Sequence, residues 1–235
     1  MSTSNQRGRR VSRNNRTLRT FYMGIAAVLV FAIGFVGVFS GLGGFSREVT
    51  PVTAPMGRTA DGYYYKGNPN AVVKVIEYAD YQCPSCAEYD RNLAPLIDRD
   101  YVNTGKIQFI YHELPLINTH RNAQVAAEAV RCAGDQGVEN FWKMHDMIYI
   151  NQDQWASVST AQNIFASYAG QLGMDRNALT TCLTNSTHTA AIEAALQVAL
   201  ATGVEATPTF EVNGQRVKAS ELDRAIRAAL AAAGQ

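Results

Sequence analysis

The chain has 235 residues, of which 47% are hydrophobic and 17% are charged, and its formal net charge is +1. That length is enough for one well-filled core with an inserted subdomain, and the near-zero net charge excludes a general attraction to nucleic acid. Charge is nevertheless unevenly distributed, because residues 1–20 contain six arginines and no acidic residue. We interpret them as a basic cytoplasmic tail. A nucleic-acid-binding arm is the alternative, which the adjoining segment disfavours, and we expect no nucleic-acid partner.

An uncharged segment follows the arginines, from Thr20 to Ser46. Since about 20 helical residues cross the hydrocarbon core of a bilayer, we predict a transmembrane anchor over residues 21–45. The arginines then belong on the cytoplasmic side, and the rest of the chain lies outside the cytoplasm, held at the cell membrane by a single span. A cleaved signal peptide is the alternative, although its apolar core is shorter, about 7 to 15 residues.

Residues 46–66 are predicted to be a linker, because they mix proline, glycine, threonine and charge. Their last residues, YYYK, can begin an edge strand. The next segment, AVVKVIEYA at residues 71–79, is rich in β-branched residues and nearly continuously apolar, which is typical of a buried central strand. A second strand is predicted over residues 106–116, and Pro115 ends it.

Between these strands, Cys83 and Pro84 fit the N-cap and the first position of a helix. We predict that this helix extends to about Asn103 and bends near Pro95. Residues 119–203 lack a strand-like run and contain several stretches with helical periodicity. They are therefore predicted to form an inserted helical subdomain.

The C-terminal part predicts a hairpin and a helix. Two short strands flank Asn213-Gly214 within residues 207–219, and that dipeptide is a strong signal for a hairpin turn. A helix with a buried apolar stripe ends the chain. The order of elements predicts an α/β fold with a thioredoxin-like core, a βαβ unit plus a β-hairpin and helix, over residues 67–118 and 204–235.

Two cysteines, Cys83 and Cys86, are separated by two residues just after the first predicted strand. A structural zinc site needs four ligands, usually two such pairs or one pair with two suitably spaced histidines, and this chain has one pair and four dispersed histidines. A structural disulfide between them would close a very small loop and remove little chain entropy. We therefore predict no metal and a redox-active disulfide, with no further cofactor.

The position of Cys83 at a helix N-terminus gives this prediction a physical basis. Free backbone N–H groups and the positive end of the helix dipole stabilise a thiolate there and lower its pKa. Cys86, one turn along the same face, is then the resolving thiol. Pro84 fixes the turn, and Ser85 is a neutral position that tunes the pair.

Two further features of the sequence point to the same site. Glu77 lies inside the predicted buried strand, six residues before Cys83, where a carboxylate is costly and its pKa rises. We interpret it as a proton acceptor beneath the disulfide, the alternative being a strand-end glutamate that reaches solvent. Thr207-Pro208 precedes the hairpin, and its proline either begins the strand or is a cis-proline whose loop faces the cysteines.

The segments VIEYADYQCPSC and GVEATPTFEVNG, with the helical insertion between them, resemble the DsbA-like thiol–disulfide oxidoreductases of the thioredoxin superfamily. The resemblance implies that Glu77 is an acidic residue of the active site and that Pro208 is cis and lies beside the disulfide. It also implies that the backbone of Thr207 pairs with bound peptide as an added strand. We expect Tyr81 and Gln82, just before the first cysteine, to line the same client-binding surface.

The remaining cysteines, Cys132 and Cys182, fall in separate helical stretches of the insertion. Disulfides persist outside the cytoplasm, and the resemblance implies a structural bridge in this subdomain, so we favour a Cys132–Cys182 disulfide. Such a bridge would close a loop of about 51 residues and contribute roughly 4 kcal/mol in the loop-entropy model. Two buried free thiols are the alternative.

Together these features predict a membrane-anchored, extracytoplasmic thiol–disulfide oxidoreductase that donates the Cys83–Cys86 disulfide to exported proteins through a mixed disulfide. The resemblance implies two partners, namely unfolded or reduced exported proteins and a quinone-linked membrane reoxidase. We expect a monomer, since no dimerisation segment is evident. The alternatives are the same fold acting as a disulfide reductase or isomerase and, in a different class, a tethered chaperone or metallochaperone.

Overall fold

The computed structural model describes residues 51–235, which build a mixed β-sheet with helices on both faces. The strands are β1 Met56–Arg58, β2 Tyr64–Gly67, β3 Val73–Ala79, β4 Ile107–Glu113, β5 Thr209–Val212 and β6 Gln215–Val217. The helices are α1 Pro84–Asn92, α2 Ala94–Ile97, α3 Ala123–Gly134, α4 Val138–Ile150, α5 Gln152–Trp155, α6 Gln162–Gln171, α7 Arg176–Thr184, α8 Thr189–Ala201 and α9 Leu222–Ala232. A π-helical turn, Asp98–Val102, follows α2, and a 3-10 turn, Ala219–Glu221, precedes α9.

The strands of residues 51–235 form a six-stranded sheet in the order β1-β2-β4-β3-β5-β6. β3 and β4 are parallel, and every other neighbouring pair is antiparallel. The parallel pair requires a crossover, which α1 and α2 provide. Asn213 and Gly214 close the β5–β6 hairpin with φ values of 49° and 83°, as its turn type requires. The predicted βαβ unit, hairpin and C-terminal helix are thereby confirmed, with a helical insertion between β4 and β5.

The central strand β3 is covered on both faces. Val75 packs on the side of α1 and α9 within the main core. Tyr78 faces the other side, where it packs with Ala199 and Val204 near the end of α8. Burial on both faces explains why this part of the sequence is almost continuously apolar.

The helix predicted from Pro84 to Asn103 is interrupted. α1 ends at Asn92, and Leu93, with φ −109°, separates it from α2. Pro95 lies in the first turn of α2, where its missing N–H is not needed. The predicted bend near Pro95 is therefore confirmed, and the single long helix is replaced by two helices and a π-helical turn.

The insertion packs large aromatic side chains against the sheet and against each other. Phe141, Tyr149, Trp155 and Phe165 are fully buried, so they hold the helices of the insertion as one layer. A disulfide joins Cys132 to Cys182, with 5.9 Å between their Cα atoms. The predicted bridge is confirmed, and the alternative of two free thiols is wrong.

The prediction of a linker over residues 46–66 is wrong for its second half. Strand β1 pairs with β2, and β2 pairs with β4 through Tyr64 and Tyr111. Tyr64 is 1% exposed and stacks on Phe141 with 3.7 Å between the ring centroids. Burial of this tyrosine anchors β2, so the strand predicted to begin within YYYK is confirmed, whereas β1 lies where only a linker was predicted.

None of the helices within residues 51–235 combines the length and apolarity that crossing a bilayer requires. The predicted cytoplasmic tail, residues 1–20, and the predicted transmembrane anchor, residues 21–45, lie outside the described residues. The first five residues of the predicted linker lie outside them as well.

Candidate active site

Cys83 is the N-cap of α1 and adopts an extended backbone, with φ −69° and ψ 122°. Pro84 follows in the first turn of the helix, as the sequence predicts. The Cys83 Sγ atom lies 3.3 Å from the Ser85 hydroxyl oxygen and 3.5 Å from the carbonyl oxygen of Thr207. The fold therefore brings the cysteine, the dipeptide and the Thr207-Pro208 loop together, although 124 positions separate Cys83 from Thr207.

Cys83 and Cys86 are free thiols in opposite electrostatic environments. The hydrogen bond from the Cys86 thiol, followed by that from the Ser85 hydroxyl, lowers the pKa of Cys83 to about 4, although partial burial opposes it. Burial raises the pKa of Cys86 well above its ordinary value, and its hydrogen bond to Cys83 acts in the same direction. At neutral pH the arrangement thus pairs a Cys83 thiolate with the more deeply buried Cys86 thiol, which keeps its proton.

We expect the ultraviolet absorbance of the Cys83 thiolate to titrate with a pKa near 4 in the reduced protein, with Cys83→Ser as the blank. The ordinary pKa is 9.0, so the unfolded chain binds more protons than the folded one between these values. The resulting stabilisation of the reduced form is present above about pH 9 and is lost as the pH falls through about 4. Denaturant unfolding of reduced and oxidised protein across this pH range measures this stabilisation. A Cys83 thiolate that titrates near pH 9 would contradict the predicted low pKa.

Glu77 lies in β3 and is 2% exposed, so the alternative of a glutamate that reaches solvent is wrong. Its Oε1 atom has no hydrogen-bond partner among the described residues. Burial raises the pKa of Glu77 to about 8, an effect that Lys66 opposes and Asp98 reinforces. The charge of Glu77 in turn raises the pKa of Cys86, so the carboxyl group and the buried thiol are electrostatically coupled.

An ion pair between Lys66 and Asp98 lies near this carboxyl group, and no local pattern in the sequence marks it. Nζ and Oδ2 are 2.7 Å apart, and the two side chains are only 5% and 10% exposed. Lys66 belongs to β2, within the supposed linker, and Asp98 begins the π-helical turn. Because the two charges act on Glu77 with opposite signs, the pair limits how far burial alone raises its pKa.

The Thr207-Pro208 peptide bond is cis, which decides between the two alternatives left by the sequence. The carbonyl oxygen of Thr207 accepts a hydrogen bond from the Cys83 thiol. Pro208 and Ser85 both line one groove. The loop before the hairpin therefore faces the cysteines, and the pairing of the Thr207 backbone with bound peptide stays a prediction.

The expectation that Tyr81 and Gln82 line a client-binding surface is contradicted for Tyr81. Its side chain is 1% exposed and packs against Tyr111 and Tyr149, because the segment after β3 turns inward beneath the insertion. Gln82 is half-buried, and its amide group is engaged at both ends. It donates to the carbonyl oxygen of Ala156 at 2.8 Å and accepts from the Asn122 N–H at 2.6 Å, so it ties the active-site turn to the insertion.

Gln152 is a second residue that the sequence analysis missed. From the start of α5, its Nε2 atom donates to the carbonyl oxygens of Tyr81 and Cys83, at 2.8 and 3.0 Å. Gln152 is 5% exposed, so water cannot replace these bonds readily. The insertion thereby fixes the backbone on which Cys83 is mounted. No local pattern marks this glutamine, since 69 positions separate it from the cysteine.

Replacement of Gln152 by leucine leaves two buried carbonyl oxygens without these donors. We expect a loss of about 1–3 kcal/mol in the free energy of unfolding and a higher Cys83 pKa, because the turn that presents the thiolate loses its support. Gln162→Leu, an exposed position at the start of α6, is the matched control. Denaturant unfolding and thiolate titration measure both effects, and an unchanged Cys83 pKa would remove Gln152 from the active site.

A groove of about 850 Å³ extends from the active site between α1 and the C-terminal hairpin. Ser85 and Pro208 stand at one end, Tyr89 and Leu93 contribute apolar wall, and Lys218 contributes a charge. Leu93 is 38% exposed, so part of the apolar wall is open to solvent. The groove has room for a few residues of extended chain beside Cys83.

The chain is similar to a known protein family and to several known proteins. The family model described as Thioredoxin matches residues 59–232. The chain is 32% identical over 190 residues to the Na(+)/H(+) antiporter NhaA 1 of Salinispora arenicola, a match that covers 81% of this chain and 27% of that protein. It is also 32% identical over 149 residues to the "Putative protein-disulfide oxidoreductase" of Rickettsia conorii, which covers 63% of this chain and 52% of that protein.

The chain therefore spans between about a quarter and about half of the length of these two relatives. Among solved structures, the crystal structure of Wolbachia pipientis alpha-DsbA1 matches with a TM-score of 0.66 at 20% identity. The match covers 75% of this chain and 94% of that one. This similarity concerns the fold, and it confirms the predicted thioredoxin-like α/β core with a helical insertion.

Proposed function

The chain belongs to the thioredoxin family and has the DsbA-like form of its fold, and from this premise we propose that it is an extracytoplasmic thiol–disulfide oxidoreductase that donates disulfides to exported proteins. One observation carries the proposal. Cys83 has a pKa lowered to about 4, whereas the pKa of Cys86 is raised well above its ordinary value. Such a pair favours the dithiol form with Cys83 as thiolate, and hence favours loss of the disulfide to a client.

The proposed reaction begins with the oxidised Cys83–Cys86 pair. A client thiolate attacks the Cys83 sulfur, the S–S bond breaks, and Cys86 leaves as a thiolate. The high pKa of Cys86 means that this thiolate takes up a proton at once. The client's second thiolate then attacks the client sulfur of the mixed disulfide, and Cys83 leaves as a stable thiolate. The client is oxidised by two electrons, which the pair receives.

Glu77 is the proposed source of the proton. Its pKa of about 8 leaves the carboxyl group protonated at neutral pH, ready to serve the departing Cys86 thiolate. In the reverse step, when Cys86 attacks during reoxidation, the carboxylate accepts the thiol proton. A buried group with a pKa near the working pH suits both directions.

The groove beside Pro208 is the proposed client site. An extended peptide there can pair with the backbone of Thr207 while its cysteine meets Cys83. Since the apolar wall at Tyr89 and Leu93 suits unfolded chains, we propose reduced, unfolded exported proteins as clients.

A quinone-linked membrane enzyme is proposed to reoxidise the Cys83–Cys86 pair. The predicted anchor over residues 21–45 is proposed to hold the protein, as a monomer, near that partner.

The test is the reduction potential of the Cys83–Cys86 pair in the full chain, equilibrated against glutathione buffers. We expect a value near about −120 mV, as for a strongly oxidising DsbA-type pair. A value near about −270 mV, as for thioredoxin, overturns disulfide donation and makes the protein a reductase that needs an electron supply. Alkylation and mass spectrometry must follow Cys83 and Cys86 separately from Cys132 and Cys182.

A further inference from the structure

The Cys132–Cys182 disulfide lies where three helix ends of the insertion meet. Cys132 is near the end of α3, Cys182 lies in α7, and His188 caps the start of α8. Cys132 is 1% exposed, whereas Cys182 is half-buried and reaches the surface. Cys182 is therefore the more accessible half of the bridge, and Cys132 is sealed from solvent.

A histidine and a carboxylate flank this bridge. One ring nitrogen of His188 and both sulfur atoms lie within 4.8 Å of one another. The His188 Nε2 atom is 2.7 Å from Asp135 Oδ2, and that same oxygen is 3.9 Å from the Cys182 sulfur. The His188 side chain is only 14% exposed. Asp135 Oδ2 thus contacts both the imidazole and the Cys182 sulfur, and it orients the histidine beside the bridge.

The surroundings fix this histidine in place. Its backbone N–H donates to a carboxylate oxygen of Glu128, whose other oxygen accepts from the Thr189 hydroxyl at 3.2 Å. Glu128 and Asp135 are the charged groups that contact His188 among the described residues, and both are acidic. These contacts hold the imidazole ring beside the two sulfur atoms.

We propose that the Cys132–Cys182 disulfide is a second thiol–disulfide exchange site, at which dithiols attack Cys182 and the His188–Asp135 pair supplies a proton to the departing thiolate. This goes beyond the Cys83–Cys86 function and does not depend on it. The site accepts reducing equivalents from protein or small dithiols. The redox state of the disulfide that joins α3 and α7 thereby follows the concentration of dithiols around the protein.

The step balances as an ordinary exchange. A thiolate of the dithiol attacks the Cys182 sulfur, because Cys132 is sealed, and forms a mixed disulfide with it. The Cys132–Cys182 bond breaks, its electron pair stays on the Cys132 sulfur, and a protonated His188 gives that thiolate a proton. The second thiolate of the dithiol then closes its own disulfide and releases Cys182 as a thiolate. The dithiol loses two electrons, and the bridge gains them.

The experiment uses the full chain carrying Cys83→Ser and Cys86→Ser, so the first pair cannot contribute. Dithiothreitol is added at neutral pH, free thiols are trapped by alkylation at set times, and mass spectrometry counts modified Cys132 and Cys182. We expect the Cys132–Cys182 disulfide to be reduced at a rate that is proportional to the dithiothreitol concentration and does not change at low urea concentrations. His188→Gln should slow it at least about tenfold, and Asp135→Asn should slow it less.

His120→Gln is the matched control, since His120 pairs with a different carboxylate, Asp80, at 2.8 Å. It should leave the rate unchanged. A rate that saturates with dithiothreitol and climbs with urea means that the bridge opens only on unfolding, which overturns the proposal. Equal rates for His188→Gln and the parent overturn the role of the histidine. Thermal melts of the oxidised variants show whether each variant has folded. If His188→Gln has not folded, the reduction rate of Asp135→Asn decides whether the His188–Asp135 pair has a role. Neither failure affects the Cys83–Cys86 function.

Discussion

Replacement of Cys83 by serine is expected to reduce oxidation of a reduced client protein to the rate that the Cys83→Ser, Cys86→Ser double variant shows. The Cys83 sulfur lies beside Ser85 and the Thr207 carbonyl oxygen, at the end of the groove. Cys86 is more deeply buried, so Cys83 is the thiol of this pair that forms the mixed disulfide. A hydroxyl cannot replace it, because serine forms no exchangeable bond with sulfur. The measurement follows recovery of activity of a reduced, unfolded disulfide-containing enzyme in an oxidising buffer.

Replacement of Cys86 by serine has a different expected outcome. Cys83 then remains a nucleophile, but the intramolecular thiol that could release a bound partner is missing. We expect stable mixed disulfides between Cys83 and its partners, visible as adducts on a non-reducing gel that dithiothreitol dissolves. The double variant should give no adduct at position 83. A holdase would retain its function in both single variants, and a metallochaperone would instead lose tight metal binding, so the pair of variants separates all three hypotheses.

The chemistry-bearing core of the site could be predicted from sequence because its determinants are local. A cysteine before a proline at the start of a helix, a partner one turn later and a carboxylate inside the preceding strand are short-range patterns with direct physical meaning. The hairpin turn at Asn213-Gly214 is local in the same sense. These are the elements that the structure reproduces most closely.

The residues that support the site could not be predicted, because their partners are distant in the chain. Gln152 reaches Cys83 across 69 positions, and Lys66 reaches Asp98 across 32. The prediction that Tyr81 binds clients is wrong, although an exposed aromatic residue beside a reactive cysteine would suit that role. In the structure the insertion covers its side chain. Packing of the insertion onto the active-site turn decides Gln152 and Tyr81, and the burial of β2 beside the π-helical turn decides the Lys66–Asp98 pair. Sequence periodicity carries no information about either contact.

The failure of the linker prediction has the same origin. Residues 51–66 carry the proline and glycine of turns, yet Tyr64 and Lys66 are buried in β2. Lys66 is held there by Asp98, and its charge acts on Glu77. β2, the strand that the YYYK residues predict, therefore contributes to the electrostatics of the site through Lys66, which the linker prediction did not foresee.

Replacement of Glu77 by glutamine is expected to stabilise the fold while slowing its chemistry. The folded pKa of about 8 lies above the ordinary value of 4.5, so between these values the folded protein holds a proton that the unfolded chain has lost. The favourable contribution is complete below about pH 4.5 and declines as the pH rises to about 8. Each pKa unit corresponds to about 1.4 kcal/mol, so the wild-type protein loses a few kcal/mol over this interval. Glutamine cannot ionise and avoids that loss.

Thermal unfolding at a series of pH values is the measurement. The glutamine variant and the wild type should melt at similar temperatures near pH 4, and the variant should melt about 10 °C higher above pH 8, since 1 kcal/mol corresponds to about 2–4 °C for a domain of this size. The rate at which Cys86 is released or attacks should fall by on the order of tenfold to a hundredfold. Glu193→Gln, at an exposed position in α8, should change neither property. The contrary outcome is a glutamine variant that gains stability at alkaline pH and still exchanges thiols at the wild-type rate. That result would show that Glu77 is buried beneath the disulfide but does not transfer the proton of Cys86. The proton would then have to reach Cys86 directly from solvent through the client groove.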